Sequence, residues 1–160
     1  PYQGKGKFLP FEKLMDLFEQ YPVLVGCGHP YRAPGHVPEL PLEQLKQLDF
    51  LDLNGKDMAL DRERTQRLTY DLGHTLDIPV VSGSDTHQAV QYGCIATCFE
   101  STFDTVEEMH REMRAGRYEI HLADSAALQV RTACLLKRSL KEIYALGGNY
   151  VAVLTKAVSA

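Results

Sequence analysis

Several features that would take the chain out of the ordinary globular class are missing. No apolar run approaches the roughly 18 residues that cross a bilayer as a helix, so a membrane span is not expected. No basic block exceeds three residues and the formal net charge is -4, so the electrostatic footprint of a nucleic-acid binder is absent. There are four cysteines, Cys27, Cys94, Cys98 and Cys134, too few in 160 residues for a disulfide scaffold. Cys94 and Cys98 have the spacing of a zinc half-site. The segment CIATCF alternates like a strand, however, which predicts two reduced core thiols on one face and a reducing, cytoplasmic setting. No signal peptide, internal repeat or long linker is recognisable. The chain opens on Pro1 rather than Met, which predicts a fragment of a longer protein.

What is present reads as one α/β domain over residues 1–160. Hydrophobic residues make up 44% and charged residues 24%, enough to build and solvate a core. FEKLMDLFEQY places Phe11, Leu14, Phe18 and Tyr21 at helical spacing, and Pro10 suits the first turn. VLVG reads as a buried strand running into CGHPYR and a proline-rich loop. LPLEQLKQL is a helix. DFLDLNG is a strand stopped by a turn at Asn54-Gly55. ALDRERTQRLTYDLGHTL is a long helix, and IPVVSG a strand followed by the loop SDTHQAVQYG. After the strand CIATCFE come a helix capped by Thr102 or Asp104 and stopped by Gly116, then the short strand RYEIHL. From about residue 124 a helical extension runs to Gly147-Gly148, and the tail YVAVLTKAV reads equally as strand or helix. Alternating strands and helices, with strands that are short and nearly all apolar, predict a mainly parallel sheet flanked by helices.

In such a sheet the C-terminal ends of successive strands share one rim, where sites are built. That places His29, Asn54, Asp85 and His87 together. In extended backbone Asp85 and His87 point the same way, a reasonable pair of ligands for a divalent metal, with His29 as the third. A metal held there would activate a water as nucleophile. His36, in the proline-rich loop, is a lesser rim candidate. His74 at the end of a helix, His110 within one, and His121 in polar, surface-like surroundings after a strand do not read as ligands. Arg32 reads either as a bidentate phosphate contact or as the partner of a local acid such as Glu39.

GHPYR, then DLNG, then GSDTHQAVQYG, in that order from Val23 to Gly93, resembles the C-terminal half of the PHP (polymerase and histidinol phosphatase) domain, in its branch of small metal-dependent phosphoesterases. The resemblance implies part of a distorted (β/α)7 TIM-like barrel lacking its N-terminal strands. It implies a cluster of zinc, manganese or iron that hydrolyses a small phosphorylated substrate. By that resemblance His29 matches a lone histidine ligand, and Asp85 and His87 the final Asp-x-His pair. The family's earlier His-x-His, a further histidine and a glutamate have no counterpart, since the 28 residues before His29 contain no histidine. A full cluster is therefore incomplete in this chain. An open layer with an exposed strand edge that can pair with another chain is expected.

Two main functions follow. One is the C-terminal portion of a metal-dependent phosphoesterase, with His29, Asp85 and His87 on the metal and Arg32 on the substrate. The alternative is a non-catalytic α/β module, structural or regulatory, with a degenerate PHP-like site. A mononuclear site of two histidines and one carboxylate, as in non-haem iron enzymes, is a third arrangement of the same residues.

Overall fold

The computed structural model describes residues 9–32 and 41–148. His36 and Glu39, and the tail from Tyr150, lie outside the described residues. Helix α1 (Phe11–Phe18) leads into strand β1 (Gly26–Cys27), followed by α2 (Leu42–Leu45) and β2 (Phe50–Asp52). Then come α3 (Gly55–Leu60), α4 (Arg62–Leu76), β3 (Val80–Val81) and a 3-10 turn (Ala89–Gln91). The described chain ends with β4 (Ile95–Phe99), α5 (Val106–Arg114), β5 (Tyr118–Leu122) and α6 (Ala126–Ala145).

Strands β1, β2 and β3 form a parallel sheet in that order, with Gly26 opposite Phe50 and Leu51 opposite Val80. Strands β4 and β5 form a separate antiparallel pair, with Ile95 opposite Leu122 and Phe99 opposite Tyr118. This overturns the expectation of one mainly parallel sheet belonging to a (β/α)7 TIM-like barrel. The described strands make two small open sheets and close nothing. The physical reason lies on the outer edge of β3, where side chains stand in for a strand. The Thr97 hydroxyl accepts from the Ser82 backbone N–H at 2.8 Å and donates to the Ser82 carbonyl at 3.0 Å. The Tyr118 hydroxyl donates to the Val80 carbonyl at 2.8 Å. With its edge groups answered this way, β3 needs no fourth strand beside it.

The core lies between the parallel sheet and the helices that cover it. Leu51 and Leu53 of the central strand are buried with Leu45, Leu48, Met58, Leu72, Leu76, Val80, Ile95 and Val130. Gly73 lets α4 settle on β3, since a methyl there would stand 2.8 Å from Val80 Cγ2. The first half of α6 packs across α3 and the 3-10 turn, burying Ala126, Val130 and Ala133. From Cys134 onward no side chain of α6 is buried.

Some local readings change. Asn54-Gly55 is not a terminal turn: Asn54 is the N-cap of α3, accepting from the backbone N–H groups of Lys56 at 3.0 Å and Asp57 at 3.3 Å. Asparagine serves turns and caps by the same side-chain carbonyl, so the dipeptide alone does not separate them. The expected long helix from Ala59 breaks at Asp61, whose backbone leaves the helical region. Helix α5 is capped by Thr105, whose hydroxyl accepts from Glu108 N–H at 3.1 Å, rather than by Thr102 or Asp104. Cys94 is buried and Cys98 exposed, so the two do not share a buried face. Cys94 precedes β4 and escapes the strand's alternation.

Candidate functional site

The parallel order of β1, β2 and β3 brings the segments after the three strands to one rim. From β2, whose register puts Asp52 and Asn54 on the same face two residues apart, come a half-buried carboxylate and a buried amide. Asn54 is 1% exposed. Its amide donates to Asp52 Oδ2 at 3.1 Å. Asp52 also accepts from the backbone N–H of His29 at 3.4 Å and of Gly83 at 3.3 Å. One carboxylate thus ties the ends of all three strands. Burial pushes the Asp52 carboxyl above its usual range, and the hydrogen bonds from Asn54, His29 and Gly83 work against that rise.

Arg32, on the segment after β1, joins the rest. Its Nε donates to both oxygens of Asp57 at 3.3 Å, and its Nη2 donates to Asn54 Oδ1 at 2.7 Å and Asp85 Oδ2 at 2.6 Å. The Arg32 and Asp85 side chains are each 20% exposed, so the pair is only partly screened by water. Burial pushes the Asp85 carboxyl up, but the hydrogen bond and charge of Arg32, helped by His87 and Asn54, outweigh it and bring the group below its usual range. Burial likewise opposes the charge of Arg32, and Asp85 and Asp57 more than offset it.

His29 and Asp85 both have positive φ, 40° and 51°. For residues with a side chain this left-handed backbone costs about 1–2 kcal/mol, and strain of this kind gathers at functional segments. It also explains why the two-residue spacing misled. Asp85 is not extended, so Asp85 and His87 do not present parallel side chains. Instead the loop curls, and His87 Nδ1 lies 2.9 Å from the Asp85 backbone carbonyl, to which it donates, and 3.7 Å from Asp85 Oδ1. Gln91, 4% exposed, braces the curl. Its Oε1 accepts from His87 N–H at 3.0 Å, and its Nε2 donates to the Asp85 carbonyl at 3.3 Å.

The metal reading of these residues finds no support in that geometry. Among the described residues no three His, Cys, Asp or Glu side chains gather as a metal would need. Asp85 Oδ2 is taken by a guanidinium at 2.6 Å, and His87 spends Nδ1 on a carbonyl. His29 reaches the rim through its backbone, while its Nδ1 is buried without a hydrogen-bond partner among the described residues. As arranged among the described residues, this donor set does not gather around a common metal position. Arg32, Asp85 and His87 do come together. Asp52, Asp57, Lys56 and Gln91 join them without having been singled out from the sequence. Only Asp52 left a trace there, as the same-face neighbour of Asn54 in FLDLN. His110 lies away from the rim, 3.6 Å from Asp49.

No family model and no curated protein matches the chain. Among solved structures, that of PsfC from Pseudomonas syringae PB-5123 is similar, with a TM-score of 0.64 and 21% identity. The likeness covers 82% of this chain and 52% of the other, so this chain spans about half the length of the structure it matches. At that identity the likeness is one of fold. The chain is therefore an α/β protein of this fold with a polar rim bound to itself. Among the described residues no helix is long and apolar enough to cross a membrane.

Proposed function

We propose that the chain acts as a non-catalytic α/β module, structural or regulatory, whose rim keeps the outline of a PHP-like site in degenerate form. The observation that carries this reading is the Arg32 guanidinium, seated among Asp85, Asp57 and Asn54. It neutralises Asp85, the rim carboxylate that the resemblance would give to a metal. Such a module works through contacts. The edge of β1 away from β2 has no strand partner among the described residues, which supports association with a second chain. A reducing, cytoplasmic setting belongs to the same reading, supported by four cysteines that are all free.

The test is turnover of p-nitrophenyl phosphate by the purified chain, supplied in turn with zinc, manganese and ferrous ions. The expected result is a rate equal to that of the metal alone. Turnover that disappears in Asp85→Ala overturns the proposal. It would favour the second reading, the C-terminal portion of a metal-dependent phosphoesterase working through His29, Asp85 and His87. The half-length match to a larger structure is what keeps that second reading in play.

A further inference from the structure

A small cavity opens between the rim and α6. It holds about 100 Å³ and is lined by Arg32, Lys56, Asp85, His87, Lys137 and Cys134, with Gln91 and Ala133 completing it. The cations come from three places: Arg32 after β1, Lys56 in α3 and Lys137 in α6. Against them stands a single carboxylate, Asp85, which Arg32 already engages at 2.6 Å. Asp57 is engaged by Arg32 as well. Lys56 and Lys137 form no ion pair with any described residue. Two lysines thus line one concavity without ion-pair partners among the described residues, its one carboxylate being engaged by Arg32. On an open surface, water and salt suffice for a lysine. Convergence from separate elements into a concavity focuses the positive potential instead.

We propose that this cavity is a binding site for a small dianionic oxyanion, of which inorganic phosphate is the type, held by Lys56 and Lys137. Its volume lies far below the roughly 300–1,000 Å³ of drug-sized ligand sites, so it takes an ion or a head group rather than a whole metabolite. Charge fits as well, because a dianion balances the two lysines while the Arg32–Asp85 pair stays intact. The floor is already set. Gln91 fixes the Asp85–His87 curl from below through two hydrogen bonds, so little has to be ordered on binding. The inference rests on reading the rim as a surface that binds and does not catalyse.

Cys134 supplies the readout. It is exposed and lines the cavity, whereas Cys98 is exposed on β4 and does not. The experiment titrates sodium phosphate at constant ionic strength and follows iodoacetamide labelling of each cysteine by peptide mass spectrometry, with calorimetry in parallel. Saturable protection of Cys134, with Cys98 unaffected, is the expected result. Losing one charge-assisted contact weakens binding about tenfold or more, so half-saturation should rise by that factor in Lys56→Gln and in Lys137→Gln. Lys141→Gln, on the same helix but outside the cavity, should leave it unchanged. Circular dichroism checks that each variant is folded. Sulfate should compete. Binding of acetate alone, protection identical in all variants, or no saturable protection with flat calorimetry would each overturn the assignment. Hydrolysis of p-nitrophenyl phosphate bears on the proposed function, and phosphate binding on this site, so either can fail without the other.

Discussion

Arg32 and Asp85 are 53 residues apart in sequence, and their side chains meet at 2.6 Å across the rim of the parallel sheet. The contact converts what looked like two separate functional residues into a closure. Asp85 is held by a cation from its own chain, and Arg32 spends two of its three nitrogens on Asp57, Asn54 and Asp85.

Replacing Arg32 should therefore cost stability. Arg32→Met leaves Asp85 and Asp57 facing each other without a counter-charge and removes a donor from buried Asn54. Because the pair is partly exposed, the expected loss is about 1–3 kcal/mol, below the cost of breaking a fully buried pair. Urea denaturation measures it. A loss within experimental error would mean that the guanidinium is merely parked at the rim.

The pH dependence has two opposing parts. Asp85 has a folded pKa below its unfolded value, so its contribution is present above about pH 3.9 and disappears as pH falls through the folded value. The stability gap between the wild type and Asp85→Asn should shrink as the solution is acidified below that point. Asp52 is raised, so its contribution is complete below about pH 3.9 and lost as pH rises through its folded value. Relative to Asp52→Asn, the wild type should weaken over that upper window. Urea midpoints collected from about pH 3 to pH 7 decide both, and a gap for Asp85→Asn that ignores pH would remove the ion pair from the account.

Two of the hydrogen bonds at the junction between the sheets come from one hydroxyl, that of Thr97. Thr97→Val keeps the shape of the side chain and strips both hydrogen bonds from Ser82. The expected cost is about 1–3 kcal/mol for backbone groups left unpaired, with Thr97→Ser recovering most of it. Amide exchange at Ser82 should quicken in the valine variant. Unchanged exchange there would show that water or another group answers the Ser82 N–H.

Gly55 is buried at the start of α3, and a methyl group there would run into Ile95 Cγ2 and stand 3.2 Å from the Gly83 carbonyl. Gly55→Ala should destabilise the fold by about 1–3 kcal/mol through overpacking, even though alanine is the better helix former. Thermal melts of the two proteins test this. A rise in midpoint would mean that Ile95 yields easily and that propensity prevails.

The strands that meet the core were readable because they are short runs of apolar, often β-branched residues ending in polar loops. Val80 and Val81 and the pair Leu51 and Leu53 are such cases. Strand direction was not readable. CIATCF and RYEIHL carry the same pattern whether they join a parallel sheet or pair with each other, and only the structure shows the antiparallel partnership. At the site, sequence order placed His29, Asn54 and Asp85 after successive strands, which was enough to point to the rim. It could not reveal the positive φ of His29 and Asp85, which redirects their side chains, nor the long-range reach of Arg32. Lys56 and Lys137 were invisible as a pair because they approach one cavity from separate helices, far apart in the chain.

The Thr97 joint has an evolutionary side. Strands joined by a hydrogen-bond ladder are locked in register, because a slip of one residue turns every side chain over. A hydroxyl that serves one residue imposes no such lock. Each sheet is thus free to lengthen, shorten or drift in sequence without forcing a matching change in the other, so long as hydroxyls still meet the Ser82 backbone and the Val80 carbonyl.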